Sequence, residues 1–241
     1  MKKILDSGID YAVAAKKGML PPPQSPYIDL GQLAHMIVLG GDDSFSISEF
    51  DDFRTKAARE WRDEQLAAGK NIITKEQFKA ADQIVKNIEN HPHTSKYLLG
   101  KDFAYEQEMY AKTAEGIDLR GKGDSLNISD KSNIIITDLK TTAQFDKFKK
   151  AASWNHYDLQ AAVYTLITAV FAKVDAEQVS YYFCVAETVA PYRVQYFHAT
   201  ADFLEAGERK LRACIDSIKA FGNNDPNFLI EEIGELGDWS I

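Results

Sequence analysis

The run Asn133-Ile-Ile-Ile-Thr-Asp138-Leu139-Lys140-Thr-Thr sets an acid and an amine two residues apart at the end of an apolar stretch. Residues two apart in a strand project from the same face, so Asp138 and Lys140 are expected to point together. A carboxylate beside an ammonium suits phosphoryl chemistry: the acid holds a divalent metal, and the amine orients a nucleophile or offsets charge on a phosphate. Asp124, fourteen residues upstream of Asp138 and just after Gly121-Lys-Gly123, is a candidate for the second carboxylate that a hard cation needs.

Each of these residues also has an ordinary reading. An Asp-x-Lys pair on an exposed strand is a surface ion pair worth little, but Ile134-Ile-Ile136 reads as a buried central strand, where a charge usually has a purpose. Asp124 is either a turn residue beside glycines or a carboxylate on the strand that pairs with Asp138's. Gln160 and Tyr164, four apart, share one helix face; they are either its partly exposed edge or a support for Lys140 or a phosphate. His35, inside Leu33-Ala-His-Met-Ile-Val, is either a satisfied core histidine or a metal ligand. Glu106 and Glu108 alternate along a strand, which ordinarily marks a solvent face.

The elements that must position these groups follow from periodicity and punctuation. Residues 1–28 read as irregular, with Leu20-Pro-Pro-Pro-Gln-Ser-Pro26 excluded from helix. Leu30 to Leu39 is an apolar helix stopped by Gly40-Gly41, and a charged helix is expected from Phe50 to Ala68. An extended Asn71–Ile73 leads to Thr74 and Gln77, a capping box that opens a helix to about Glu89. Strands are expected at 103–112, 116–128, 133–140, 178–186 and 192–198. Helices are expected from about His156 to Ala172, where Leu159, Val163, Leu166, Ile167 and Val170 recur at helical spacing, and from Thr200 to Phe221. The fold class is therefore α/β (α+β), a sheet flanked by helices in one domain over residues 1–241.

Composition narrows the function classes. The 241 residues are 45% hydrophobic and 27% charged, an ordinary globular balance. There is no apolar run long enough to span a membrane and no signal-peptide core. Cys184 and Cys214 lack any metal-binding spacing, so a zinc or iron–sulfur site is not expected and a reducing cytoplasm is. The net charge of −8 excludes a protein that coats nucleic acid by bulk charge. It leaves room for a nuclease, because acids can hold cations while local basic clusters (Lys16-Lys17, Arg54–Arg62, Arg120 with Lys122, Lys147–Lys150, Arg209–Arg212) hold a backbone.

In their order along the chain these residues resemble the RecE-like (exonuclease VIII type) branch of the PD-(D/E)xK nucleases. Leu30-Gly-Gln-Leu-Ala-His35 is similar to its Leu-Gly-x-x-x-His helix, and Gly69-Lys-Asn-Ile-Ile-Thr74 to its Gly-Lys-x-x-(Ile/Leu)-Thr step. Glu106-Gln-Glu-Met-Tyr110 resembles a Glu-containing strand, Arg120-Gly-Lys-Gly-Asp124 its Arg-x-(Arg/Lys)-Pro-Asp, and Asp138-Leu-Lys140-Thr-Thr its Asp-x-Lys-Thr-Thr. Tyr157-Asp-Leu-Gln160-Ala-Ala-Val-Tyr164 resembles its Tyr-x-x-Gln-x-x-x-Tyr helix. The likeness spans about residues 30–200, with an echo at Trp239. Gly123 stands where the family has proline, which loosens the expected turn, and Asp138 where many wider relatives carry Glu.

The resemblance implies a restriction-endonuclease-like core with a central mixed sheet. It implies that His35, Asp124, Asp138 and the Leu139 carbonyl bind Mg²⁺ or Mn²⁺, that Lys140 orients the attacking water and steadies the phosphate, and that Glu106 adds an acid. Gln160 and Tyr164 would support the site and the DNA backbone. The implied activity is digestion of linear duplex DNA from an end, 5′ to 3′, leaving 3′ single strands for recombination. A ring-like homo-oligomer, a single-strand annealing partner and a phage or mobile-element origin are implied on the same basis. The alternatives are a RecB-like endonuclease or nuclease module of a larger complex, and a non-catalytic DNA-end-binding module.

Overall fold

A computed structural model describes residues 1–16, 18, 29–40, 45–50 and 52–221. In chain order the helices are α1 (Lys2–Lys16), α2 (Leu30–Val38), α3 (Lys56–Ala67), α4 (Lys75–Glu89), α5 (Thr94–Tyr97), α6 (Phe148–Trp154), α7 (Tyr157–Ala172) and α8 (Ala201–Phe221). The strands are β1 (Phe45–Ile47), β2 (Asn71–Ile73), β3 (Ala104–Lys112), β4 (Asp118–Asn127), β5 (Ile134–Thr142), β6 (Val179–Glu187) and β7 (Val194–His198). Five strands form one mixed sheet in the order β3-β4-β5-β6-β7, and β1 pairs with β2 in a separate parallel ribbon. Within the large sheet only β5 and β6 run parallel, from Ile134 opposite Val179 to Thr142 opposite Glu187. Their crossover carries α6 and α7. The fold is mixed α/β, a five-stranded mixed sheet packed against helices, as the sequence reading expects.

Alternation along β5 and β6 explains the layers. Ile134, Ile136, Tyr181, Phe183 and Val185 share a core with residues of α7, while Leu139, Cys184 and Ala186 pack with Ala34 of α2 and Ile84 and Ile88 of α4. Both faces of this strand pair are covered, as parallel strands require. Beyond α7, helix α8 adds Leu211, Cys214 and Ile215 to Leu159.

Local signals set the helix ends. The Asp29 carboxylate accepts from Gln32 N–H at 2.7 Å, and the Gln32 side chain accepts from Asp29 N–H at 3.1 Å, a reciprocal cap that starts α2. Thr74 and Gln77 do the same for α4. Helix α3 begins at Lys56 rather than Phe50, because Thr55 caps Ala58 N–H at 3.2 Å. Helices α5 and α6, of four and seven residues, have no counterpart in the sequence reading.

The N-terminal segment is the main correction. Lys2–Lys16 is helical, broken at Gly8 where the backbone turns left-handed (φ 82°). Burial rather than propensity accounts for it, since Met1, Ile4 and Leu5 pack on the α8 cluster. The proline run at 20–26, Gly41 and the tail with Trp239 lie outside the described residues. Among the described residues, no helix is long and apolar enough to cross a membrane.

Candidate active site

The sequence-predicted residues come together at one end of β5. Strand β4 pairs antiparallel with β5 only as far as Ser125 opposite Thr137. Beyond that the Asp124 carboxylate takes over the ladder, accepting from Leu139 N–H at 2.8 Å. The N–H and C=O of one strand residue point to the same side, so the Leu139 carbonyl also faces the opening between β4 and β5.

Asp124 sits at a local distortion. Gly121 and Gly123 face α7 and Met109, so closely that an added Cβ would stand 3.2–3.4 Å from Met109, Tyr164, Ile167 or Ile136. Ser125 faces the other side, where its hydroxyl donates to the Leu98 carbonyl at 2.5 Å. The alternation therefore flips at Asp124 without an extra residue, since the register of β3 with β4 is the same on both sides of it. Across from it on β3, Glu106 is skipped in the pairing between Tyr105 opposite Ser125 and Gln107 opposite Gly123. Glu106 has φ 54°, a left-handed conformation that costs a non-glycine residue about 1–2 kcal/mol. The expected turn at Gly123 is absent; this glycine lies inside β4 and makes room for the core beneath it.

Helix α2 closes the group. Gly31 lies against Thr141 of β5, where a Cβ would stand 2.1 Å from the hydroxyl oxygen. One turn further on the same helix face is His35. Its Nε2 is 3.1 Å from Asp124 Oδ2 and its Nδ1 is 3.9 Å from Glu106 Oε1. One ligand atom from each of His35, Glu106 and Asp124 lies within 4.8 Å of the others, a group able to hold a metal ion. Glu106 also contacts the ammonium of Lys122, one of the basic residues beside it on β4.

Asp138 lies next to this trio with both oxygens engaged. Oδ1 accepts from Gln160 Nε2 at 2.5 Å, and Oδ2 is 2.5 Å from Lys140 Nζ without a well-aligned hydrogen bond. Burial drives the Asp138 pKa up; Lys140 opposes this and the Asp124 charge adds to it. For Lys140, burial pushes the pKa down, but Asp138 and Asp124 outweigh it and hold the amine protonated. Beneath them Tyr181 is fully buried, its phenol pushed well up by burial and then by both carboxylates. Gln160 thus supports Asp138 directly. Tyr164 instead bridges to the β4 backbone, donating to Lys122 O at 3.2 Å and accepting from Lys122 N–H at 3.3 Å. Alongside runs an open cleft of about 730 Å³ lined by His35, Leu139, Lys140, Thr141 and Tyr157 among others.

Over residues 1–227 the chain matches the family described as a PDDEXK-like domain of unknown function (DUF3799). It belongs to that family. A crystal structure described as a "Putative exonuclease" from Eubacterium rectale is similar in fold, with TM-score 0.59 and 16% identity over 90% of this chain and 77% of that one. A crystal structure of a protein named SSO0001 aligns at TM-score 0.32 and 11% identity, over 84% and 83% of the two chains, too low to carry an argument. No curated protein matches the chain.

Sequence reasoning gives no individual role to Tyr157, Tyr181 or Lys2, and places Lys122 only in a basic cluster with Arg120. Tyr157 was visible as the first residue of the Tyr-x-x-Gln pattern, three before Gln160. Tyr181 carries no signal beyond strand alternation, and Lys2 lies in the segment read as irregular.

Proposed function

We propose that this protein is a metal-dependent exodeoxyribonuclease that hydrolyses linear double-stranded DNA from an end, 5′ to 3′, leaving 3′ single strands for recombination. One observation carries the reading: His35, Glu106 and Asp124 converge beside the Asp138–Lys140 pair at the mouth of a cleft. Family membership and the exonuclease named among its fold neighbours support it.

The donors fit a hard divalent cation such as Mg²⁺ or Mn²⁺. Carboxylates and a strand carbonyl are the oxygen ligands such ions take, with the imidazole as one nitrogen donor among them, and the Asp138 carboxylate, its pKa raised by burial and by Asp124, stands where positive charge is wanted. His35, Asp124 and Glu106 would hold the ion, with Asp138 and the Leu139 carbonyl beside it. When bound, such an ion supplies a lowered water pKa and an offset to charge on phosphoryl oxygens. Lys140 presents a fixed cation to the attacking water and the phosphate, aimed by Asp138, while Gln160 fixes Asp138. Tyr164 holds the β4 backbone that carries Asp124. Exposed Lys147, Lys149 and Lys150 follow the end of β5 without an ion pair among the described residues and offer a path for the phosphate backbone. A ring-like oligomer around the duplex and an annealing partner belong to the same reading.

Purified protein with Mg²⁺ and a duplex labelled separately at each 5′ and 3′ end tests the proposal. Early release of the 5′ label, with the 3′ strand left intact, is expected. Equal cutting of linear and closed circular DNA would replace the reading with the endonuclease module. Binding of ends without cleavage would replace it with a non-catalytic one.

A further inference from the structure

The N-terminal helix brings a second lysine to Tyr157, a residue that lines the cleft. Lys2 Nζ lies 4.7 Å from the centroid of the Tyr157 ring, and Lys140 Nζ lies 5.0 Å from the same centroid. The two ammonium groups are therefore separated by less than the sum of those distances. Tyr157 and Lys140 both line the cleft, so Lys2, itself outside that lining, touches a residue of the cleft wall although α1 belongs to a different part of the chain.

What distinguishes Lys2 is that the acids around it are committed elsewhere. Three carboxylates act on it, those of Asp138, Asp6 and Asp158. Asp138 pairs with Lys140 and Gln160. Asp6 pairs with His156 Nε2 at 3.0 Å. Asp158 pairs with Lys210 Nζ at 2.7 Å and accepts from its own Leu159 N–H. Among the described residues Lys2 has no ion-pair partner within 4.0 Å, only an aromatic face. Burial and then Lys140 both work against its charge. A half-buried cation kept beside another cation, with its local acids occupied, is arranged for an anion from outside.

We propose that Lys2 binds a phosphate of the polynucleotide strand in the cleft, at the Tyr157 side and adjacent to the phosphate served by Lys140. This rests on the nuclease reading for the identity of the anion. It makes α1 part of the substrate site: its packing on α8 through Ile4 and Leu5 sets the position of Lys2.

The test is equilibrium binding, separate from cleavage. A short blunt duplex with a fluorescent label is titrated with protein in metal-free buffer over a series of salt concentrations. Lys2→Gln is expected to weaken binding roughly tenfold at low salt, the size of one charged hydrogen bond. It should also lower the slope of log K against log salt by about one, and Lys2→Arg should restore both. Wild-type affinity and slope in Lys2→Gln would overturn the proposal, even if the wild-type enzyme cleaves DNA as expected. Should the variant fold poorly, acetylation of the wild-type protein decides. Duplex should shield Lys2 from an acylating reagent while the exposed Lys70 stays reactive, and equal labelling of Lys2 with and without duplex would end the idea. Cleavage by wild-type protein with Mg²⁺ reports on the nuclease reading independently.

Discussion

Replacing Gly31 by alanine should disturb the proposed metal site without touching a proposed ligand. The new Cβ would stand 2.1 Å from Thr141 Oγ1 and 3.1 Å from Thr141 Cβ and Asp29 Oδ1. Thr141 is β-branched, so one of its two other staggered rotamers puts the methyl in place of the hydroxyl, and in neither does its Cβ, 3.1 Å from the new atom, move away. The helix must move instead. Overpacking of this kind costs about 1–3 kcal/mol, and the better helix propensity of alanine returns at most about 1 kcal/mol. Taking the middle of that range, a net loss of about 1 kcal/mol lowers the melting temperature by about 2–4 °C in a domain of this size. His35, one turn along, moves with the helix, and a displacement of about 1 Å at a reacting centre can cost about a hundredfold in rate. Thermal melting, metal titration and nucleotide release are measured on Gly31→Ala, Thr141→Ala and the double variant. Removing Oγ1 should recover much of the loss, giving a coupling of about 1 kcal/mol or more. A Gly31→Ala protein with wild-type melting, metal titration and rate would refute the idea that close docking of α2 on β5 places His35.

Four further outcomes are expected. Asp138→Asn and Lys140→Ala should each lose at least about a hundredfold in Mg²⁺-dependent nucleotide release while circular dichroism stays native; undiminished digestion by both removes them from the chemistry. Gln160→Ala acts through Asp138 and should lose less, about ten- to a hundredfold, with its effect absent in an Asp138→Asn background. His35→Ala should weaken metal binding by about tenfold or more in a calorimetric titration, and an unchanged titration would return His35 to a core role. Glu187, held by Arg193 at 2.8 Å, has its pKa lowered by that hydrogen bond. The stability it contributes is therefore present above the ordinary glutamate pKa and is lost as pH falls through the lower folded value. Urea melts of wild type and Glu187→Gln should differ at pH 7 and converge as the pH drops below about 4.

Much of the site was legible because its residues sit on elements with strong periodic signals. The run Ile134-Ile-Ile136 marked β5 as central, and the two-residue step put Asp138 and Lys140 on one face. The Thr74–Gln77 cap and the α7 stripe were equally plain. What periodicity cannot express is a departure from itself. Strand alternation put Glu106 on a solvent face, but a left-handed backbone turns its carboxylate toward His35. The glycines before Asp124 leave turn and strand both open in the sequence; in the sheet Gly121 admits Tyr164 and Ile167, and Gly123 admits Met109 and Ile136. Helix α1 was invisible because its stability comes from packing on α8, which is far away in the sequence.

The left-handed Glu106 has a consequence for how this protein would respond to selection. Glycine or asparagine at that position would relax the backbone at once and make the molecule hardier to heat. Either would also remove an acid from the group around His35. Variants recovered only for heat tolerance should therefore accumulate at residue 106 and be inert, a trade of robustness against reactivity built into a single φ angle.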